Sequence, residues 1–182
     1  MEKKPLVLNF FGGPGSGKST AAAYVFSKLK LAGYNVELVT EVAKDFTWDG
    51  ALEILKDQIY IFGEQQHRFF RCADKVDLII TDSPMFLTTI YNHDETIQAS
   101  LNTLVLDVIN KYENINIFLK RVKPYNPIGR NQTEEESDEI SERIKAALKD
   151  VGISFSTLEG STAGYEKAYH IVLELLEQNK NS

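Results

Sequence analysis

The sequence predicts a single doubly wound α/β domain, a five-stranded parallel sheet with helices on both faces. Three observations lead there. Short apolar runs alternate with long amphipathic stretches, the pattern of strands joined by crossover helices. The runs are continuous rather than alternating, as suits strands covered on both sides. The chain has 182 residues and is 43% hydrophobic, enough for one full core and little more.

The elements follow in order. Leu6–Phe11 is the first strand. Lys18–Leu31 is the first helix, with Gly33 where a helix-ending glycine belongs. Val36–Val39 is the second strand. Residues 50–73 present Leu52, Leu55, Ile59, Phe62, Gln66 and Phe69 at steps of three or four, which predicts one long helix. Leu78–Thr81 is the third strand. Ile97, Leu101, Leu104, Val108 and Tyr112 mark a further helix, and Ile115–Leu119 the fourth strand. Thr133-Glu-Glu-Glu136 has the form of a capping box, so a helix starts there with Ile140, Ile144, Ala147 and Val151 facing the core. Phe155–Leu158 is the fifth strand and Ala163–Glu177 the last helix, followed by a polar tail (178–182) expected to fray.

Between the first strand and first helix, Gly12-Gly-Pro-Gly-Ser-Gly17-Lys18-Ser19 fits G-x-x-x-x-G-K-[ST], a P-loop. The glycines let the backbone curl until several amides aim at phosphate oxygens. The helix behind adds its positive end. Gly13, Gly15, Ser16, Gly17, Lys18, Ser19 and Thr20 are therefore the expected contacts to a nucleoside triphosphate, ATP being the expected cofactor. Lys18 would reach the β- and γ-phosphates, and the Ser19 hydroxyl would ligate Mg²⁺.

Two acids end apolar strands. In Leu78-Ile-Ile-Thr-Asp82 the carboxylate stands at a strand's carboxyl end, where open α/β sheets bind ligands, and would hold Mg²⁺ with Ser19. A turn-forming Asp before Ser83-Pro84 is the plainer reading. Glu41 follows the second strand and is a candidate base for an attacking hydroxyl; a helix-start acid is the alternative. Asp82 is also a candidate base, and Asp45 a weaker one.

Further candidates line up around these. Phe46 and Trp48 could stack on a ring, or close the core beneath a loop. Gln58 and Gln65 lie seven residues apart on one helix face and could pair with a base edge, or be ordinary surface amides. Lys120-Arg121-Val-Lys123, continuing to Arg130, carries four positive charges and no acid. Residues 121–134 fit a basic lid in which Arg121 and Arg130 steady the transferring phosphoryl group. A solvated loop balancing Glu134–Glu136 is the alternative.

Composition narrows the setting. Net charge is −6, which argues against broad nucleic-acid coating but not against a local basic patch. Cys72 is the lone cysteine, so no intramolecular disulfide forms, and a reduced cytoplasmic setting is expected. No apolar run is long enough for a membrane span, and His67, His93 and His170 have no companions at ligand spacing.

Taken together, the P-loop, the acid after strand two, the Asp after strand three and the arginine-bearing segment after strand four resemble the nucleoside/nucleotide kinase branch of P-loop proteins, including thymidylate kinase-like enzymes. The wording Phe-Gly-Gly-Pro-Gly-Ser-Gly-Lys-Ser-Thr, Thr-Glu-Val-Ala-Lys-Asp, Thr-Asp-Ser-Pro and Lys-Arg-Val-Lys-Pro-Tyr-Asn-Pro-Ile-Gly-Arg-Asn-Gln is similar to a group of small phage-encoded ATP-binding proteins. That resemblance implies phosphate transfer to 5-hydroxymethyluracil in viral DNA. The chain departs at Asp82-Ser83-Pro84, where thymidylate kinases carry Asp-Arg and nucleoside kinases often Glu-Arg-Ser, so free dTMP is a doubtful acceptor. Free nucleosides or nucleoside monophosphates are the alternative acceptors.

Two other classes compete. A guanine-reading switch needs Asn-Lys-x-Asp, and Asn110-Lys-Tyr-Glu113 misses it. A partner-driven ATPase is the third reading, though 182 residues leave no room for the extra helical domain of a ring ATPase.

Overall fold

The computed structural model describes residues 4–126 and 133–180. Five parallel strands, β1 (Leu6–Phe11), β2 (Val36–Val39), β3 (Leu78–Thr81), β4 (Glu113–Lys120) and β5 (Ser156–Glu159), form one sheet in the order β2-β3-β1-β4-β5. The helices are α1 (Lys18–Leu31), α2 (Val42–Trp48), α3 (Gln58–Phe70), α4 (Thr88–Tyr91), α5 (Gln98–Ile109), α6 (Glu134–Asp150) and α7 (Thr162–Lys180). The α/β expectation holds, and the sheet order is what sequence could not supply.

β1 is central, and its alternation splits the core in two. Leu6, Leu8 and Phe10 pack with α1 and α7 residues such as Ala22, Val25, Ala168 and Val172. Val7 and Phe11 pack with Phe69, Val105, Ile144 and Leu148 from the helices of the other face. Burying a side chain of this size stabilises the fold by roughly 1.5–3 kcal/mol. Asn9 interrupts the second row and is 5% exposed.

The chain around residues 40–70 differs from expectation. No single helix spans 50–73; only 58–70 is α-helical. α2 ends at Asp49 and Gly50, whose φ of 70° a side-chain-bearing residue rarely adopts. A 3₁₀ turn covers Leu52–Lys56. α3 then starts afresh because Asp57 caps it, its carboxylate accepting from the Tyr60 amide at 3.0 Å.

The buried face of α3 is also rotated from the expected stripe. Gln58, Ile61, Phe62, Gln65 and Phe69 are buried, whereas Ile59 and Leu52 are exposed. In α5, Leu101 and Val108 are buried as expected, together with Val105 and Ile109, whereas Leu104 is exposed and Tyr112 is buried beyond the helix end. In α6, Leu148 is buried and Val151 is exposed. The capping box at Thr133 and Glu136 is present in both directions. α7 stays helical to Lys180, past the expected start of fraying at Gln178.

Among the described residues, no helix is long and apolar enough to cross a membrane.

Candidate active site

The sheet order decides the site. β1 and β3 are hydrogen-bonded neighbours, pairing Asn9 with Thr81. The loop leaving β1 at Gly12 and the acid leaving β3 at Asp82 therefore emerge from adjacent strands at the same carboxyl-terminal edge of the sheet. β2 lies on the far side of β3, so Glu41 is about two spacings from the P-loop strand.

The P-loop is preformed. Ser16 N donates to Gly13 O at 3.2 Å, and Gly17 N-caps α1 with φ 96°. A side chain at Gly17 would also collide with the Tyr165 hydroxyl. Lys18 Nζ folds back over the loop and donates to Gly12 O at 2.8 Å and Gly13 O at 3.1 Å. Ser19 and Thr20 are exposed at the start of α1, open to a ligand.

Supports for the loop come from residues that no sequence motif marks. Ser137 Oγ of α6 donates to Pro14 O at 2.6 Å, and the Gly13 amide donates to Ser141 Oγ at 3.1 Å. From the β5 side, Gly160 lies so close that a Cβ would collide with the Ser16 carbonyl oxygen. Helical spacing 137/141 was visible, but nothing in the sequence said which surface that face would meet.

A cleft of about 410 Å³ runs from this loop past Asp82 to α2 and α3. Ser16, Gly17, Lys18, Ser19 and Thr20 line one end; Glu41, Lys44, Trp48, Gln58 and Gln65 line the other. Gly13 faces α6 rather than the cleft. Ser16 Oγ and Asp82 Oδ1 are the buried side-chain polar atoms with no hydrogen-bond partner among the described residues. Both belong to this cleft, so a ligand would supply what the protein withholds. An unpartnered carboxylate oxygen beside a P-loop serine fits a hard divalent cation shared with phosphates. Asp82 and Ser19 are the residues that could hold one.

The two acids share one environment. Burial pushes the Asp82 carboxyl above its ordinary range, opposed by the Lys18 ammonium and by backbone amides including that of Glu41. Burial likewise raises Glu41, with Lys18 pulling down and Asp82 pushing up. Tyr91, on the cleft wall, is pushed up to about 12 by burial and then by Glu41. It stays a neutral hydrogen-bonding group at physiological pH.

The acceptor candidates divide. Trp48 lines the cleft and is 65% exposed, free to contact a ligand. Phe46 lies outside the lining and packs on Tyr60, ring centres 5.9 Å apart, the bland alternative. Gln58 and Gln65 reach the cleft but are buried and partly committed. Gln58 Nε2 donates to Leu55 O at 2.7 Å, and Gln65 Oε1 accepts from the Val42 amide at 3.1 Å. Gln65 thus anchors the start of α2, and with it the backbone of Glu41.

Arg121 is not in the cleft lining. Its guanidinium bridges Glu134 and, at 2.5 Å, Asp138 on α6, so it is fixed away from the phosphate path. Among the described residues of this segment, Lys123 is the cation that lines the cleft. Arg130 and the rest of 127–132 lie outside the described residues. Asp45 pairs with Arg68 at 2.7 Å and is likewise absent from the lining. Asn110 and Glu113 stand at the amino-terminal edge of the sheet, remote from a base bound at the P-loop edge.

Residues 7–165 match the family model described as an AAA domain. A direct search of curated proteins gives no match. With the P-loop, the acid on the adjacent strand and a family match over most of its length, the chain belongs to the AAA domain family and is a P-loop nucleotide-binding protein.

Proposed function

We propose that the protein is an ATP- and Mg²⁺-dependent phosphotransferase that moves the γ-phosphate to a hydroxyl of a nucleoside- or nucleotide-type acceptor. The observation that carries this reading is the extent of the cleft. Its lining reaches beyond the P-loop and Asp82 to Thr47, Trp48, Leu55, Ile61 and Gln65. Hydrolysis needs room for one water, whereas a ring-bearing acceptor needs a cleft that extends past the phosphates.

In this reading the triphosphate lies on the P-loop, and Lys18 exchanges its two loop carbonyls for phosphate oxygens. Ser19 and Asp82 would hold Mg²⁺, which supplies charge neutralisation at the phosphates. The acceptor oxygen bonds to the γ-phosphorus as the bond to the β–γ bridging oxygen breaks, and ADP leaves. Glu41 takes the acceptor's proton; its raised affinity for protons suits a base working near neutrality. Asp82 is the alternative base. Positioning and electrostatics do most of the work. Arg121 acts by tying the lid segment to α6, and Lys123 meets the substrate charge.

The acceptor we favour is 5-hydroxymethyluracil in phage DNA, supported by exposed Lys44, Lys123 and Trp48 at the cleft. A free nucleoside or nucleotide is the alternative. The test is transfer of γ-labelled phosphate from ATP, with Mg²⁺, to free nucleosides and monophosphates and to DNA with and without 5-hydroxymethyluracil. Lys18→Ala is the control. Label on modified DNA alone supports the favoured acceptor, and label on a free nucleotide supports salvage-type transfer. Label on neither favours a partner-driven ATPase, since the AAA domain match is equally compatible with hydrolysis and with transfer.

A further inference from the structure

Helix α2 shows the cleft a charge and a ring, one turn apart. Lys44, Thr47 and Trp48 all line the cleft, and they lie at steps of three and four along the helix, on one face. The Cβ atoms of Lys44 and Trp48 are therefore about 5–6 Å apart. Their neighbours on the helix are committed inside the protein. Asp45 pairs with Arg68 at 2.7 Å, Phe46 packs on Tyr60, and Thr47 Oγ1 donates to Ala43 O at 3.1 Å.

Among the described residues, Lys18, Lys44 and Lys123 are the cations that line the cleft. Lys18 belongs to the P-loop, and Lys123 to the segment after β4. Other cations of the neighbourhood are neutralised: Arg68 by Asp45, Lys56 by Glu53, and Arg121 by Glu134 and Asp138. Lys44 is exposed and has no ion pair or hydrogen bond among the described residues. Its charge still reaches Glu41 and Asp82, drawing both carboxyls downward. The triphosphate would be met by the loop amides, by Lys18 and by the cation that Ser19 and Asp82 could hold, so the Lys44 ammonium is not needed there. An ammonium is a compact charge with three donors, suited to a phosphate, and an indole offers a broad face to a planar ring. A ligand that satisfies both carries a ring and an anion within one helical turn of each other. An uncharged nucleoside satisfies only the indole.

We propose that the Lys44–Trp48 face of α2 determines acceptor specificity, and that it selects an acceptor whose ring lies beside a phosphate of its own. The Trp48 indole stacks on the ring, and the Lys44 ammonium pairs with the phosphate the acceptor already carries. Calling this ligand the acceptor rests on the phosphotransferase reading. The phosphate is either a terminal monophosphate or a phosphodiester in a strand, which present similar oxygens to the ammonium.

Trp48 is the only tryptophan of the chain, so its fluorescence reports this site. The test saturates the full chain with Mg²⁺ and a non-hydrolysable ATP analogue, then titrates it with the common deoxynucleosides, their 5′-monophosphates and the dinucleotides made from each. For the best-bound base, the monophosphate or the dinucleotide should quench Trp48 with a Kd at least about tenfold below that of the nucleoside. Which of the two does so tells a free acceptor from a polymeric one. Lys44→Met should bring that ratio below about threefold, and Lys44→Arg should keep most of it. A lysine that only screened Glu41 and Asp82 would affect all probes alike and leave the ratio unchanged in Lys44→Met. That result, equal affinity for nucleoside and phosphate-bearing probe, or no quenching by any probe would overturn the proposal. Transfer of γ-labelled phosphate from ATP to the same probes is measured in parallel. The expected ratio without label would remove the phosphotransferase reading and leave the binding face standing, whereas label with no dependence of the ratio on Lys44 would remove this proposal alone.

Discussion

Asp82→Asn separates the cost of the candidate site from its use. Asp82 is 7% exposed, its Oδ1 has no partner, and burial has raised its proton affinity. The sign of the linkage follows. With the folded-state value above the unfolded one, the native protein holds more protons across that window, so stability falls as pH rises through it. Above the window the full cost of the buried charge is present. Asparagine removes the charge at nearly constant volume. Apo Asp82→Asn should therefore be more stable than wild type at pH 8 by about 1 kcal/mol, within the range for relieving an unsatisfied buried group. For a domain of this size that is about 2–4 °C in Tm. The ligand response should run the other way. Nucleotide with Mg²⁺ at a hundred times Kd stabilises wild type by about 2.7 kcal/mol, and the variant should lose most of that gain. The assay is thermal unfolding at pH 5 and pH 8, with and without a non-hydrolysable ATP analogue and Mg²⁺. A less stable apo variant that still gains fully from Mg²⁺ and nucleotide would refute the reasoning, and Asp82 would be a turn former.

Glu41→Gln should slow phosphate transfer at least about a hundredfold if Glu41 is the base, and a loss below threefold points to Asp82. In wild type the rate should rise with pH through a limb lying above the ordinary carboxylate range, because the ionised form is the base; the variant should flatten that limb in a pH–rate profile. Ser137→Ala with Ser141→Ala removes both α6 hydrogen bonds to the P-loop, and should raise KM for ATP several-fold with a smaller change in kcat. Arg121→Ala frees 121–126 from Glu134 and Asp138; faster proteolysis there, suppressed by bound nucleotide, is expected, and unchanged cleavage would count against a lid held by that pair.

What the sequence made legible was local. The P-loop could be recognised because its chemistry needs glycines, a lysine and a hydroxyl at fixed spacing, and no distant contact is required to see that. Asp82 and Glu41 could be placed at strand ends for the same reason. The helix over 50–73 failed because periodicity does not register a break at Gly50 and a fresh cap at Asp57. The stripe through Ile59 failed with it, since the face α3 buries depends on Gln65 reaching the Val42 amide 23 positions earlier.

By itself, the sequence determined the α/β class, the phosphate loop and which strands end in acids, all properties of neighbouring residues. Tertiary structure alone decided that β1 lies beside β3, that α6 serines brace the loop, and that acids on α6 hold Arg121 out of the cleft. Those outcomes depend on which surfaces meet when helices fold back across a twisted sheet, and pairs more than a hundred residues apart, such as Ser137 with Pro14 and Asn9 with Asn116, carry no local pattern.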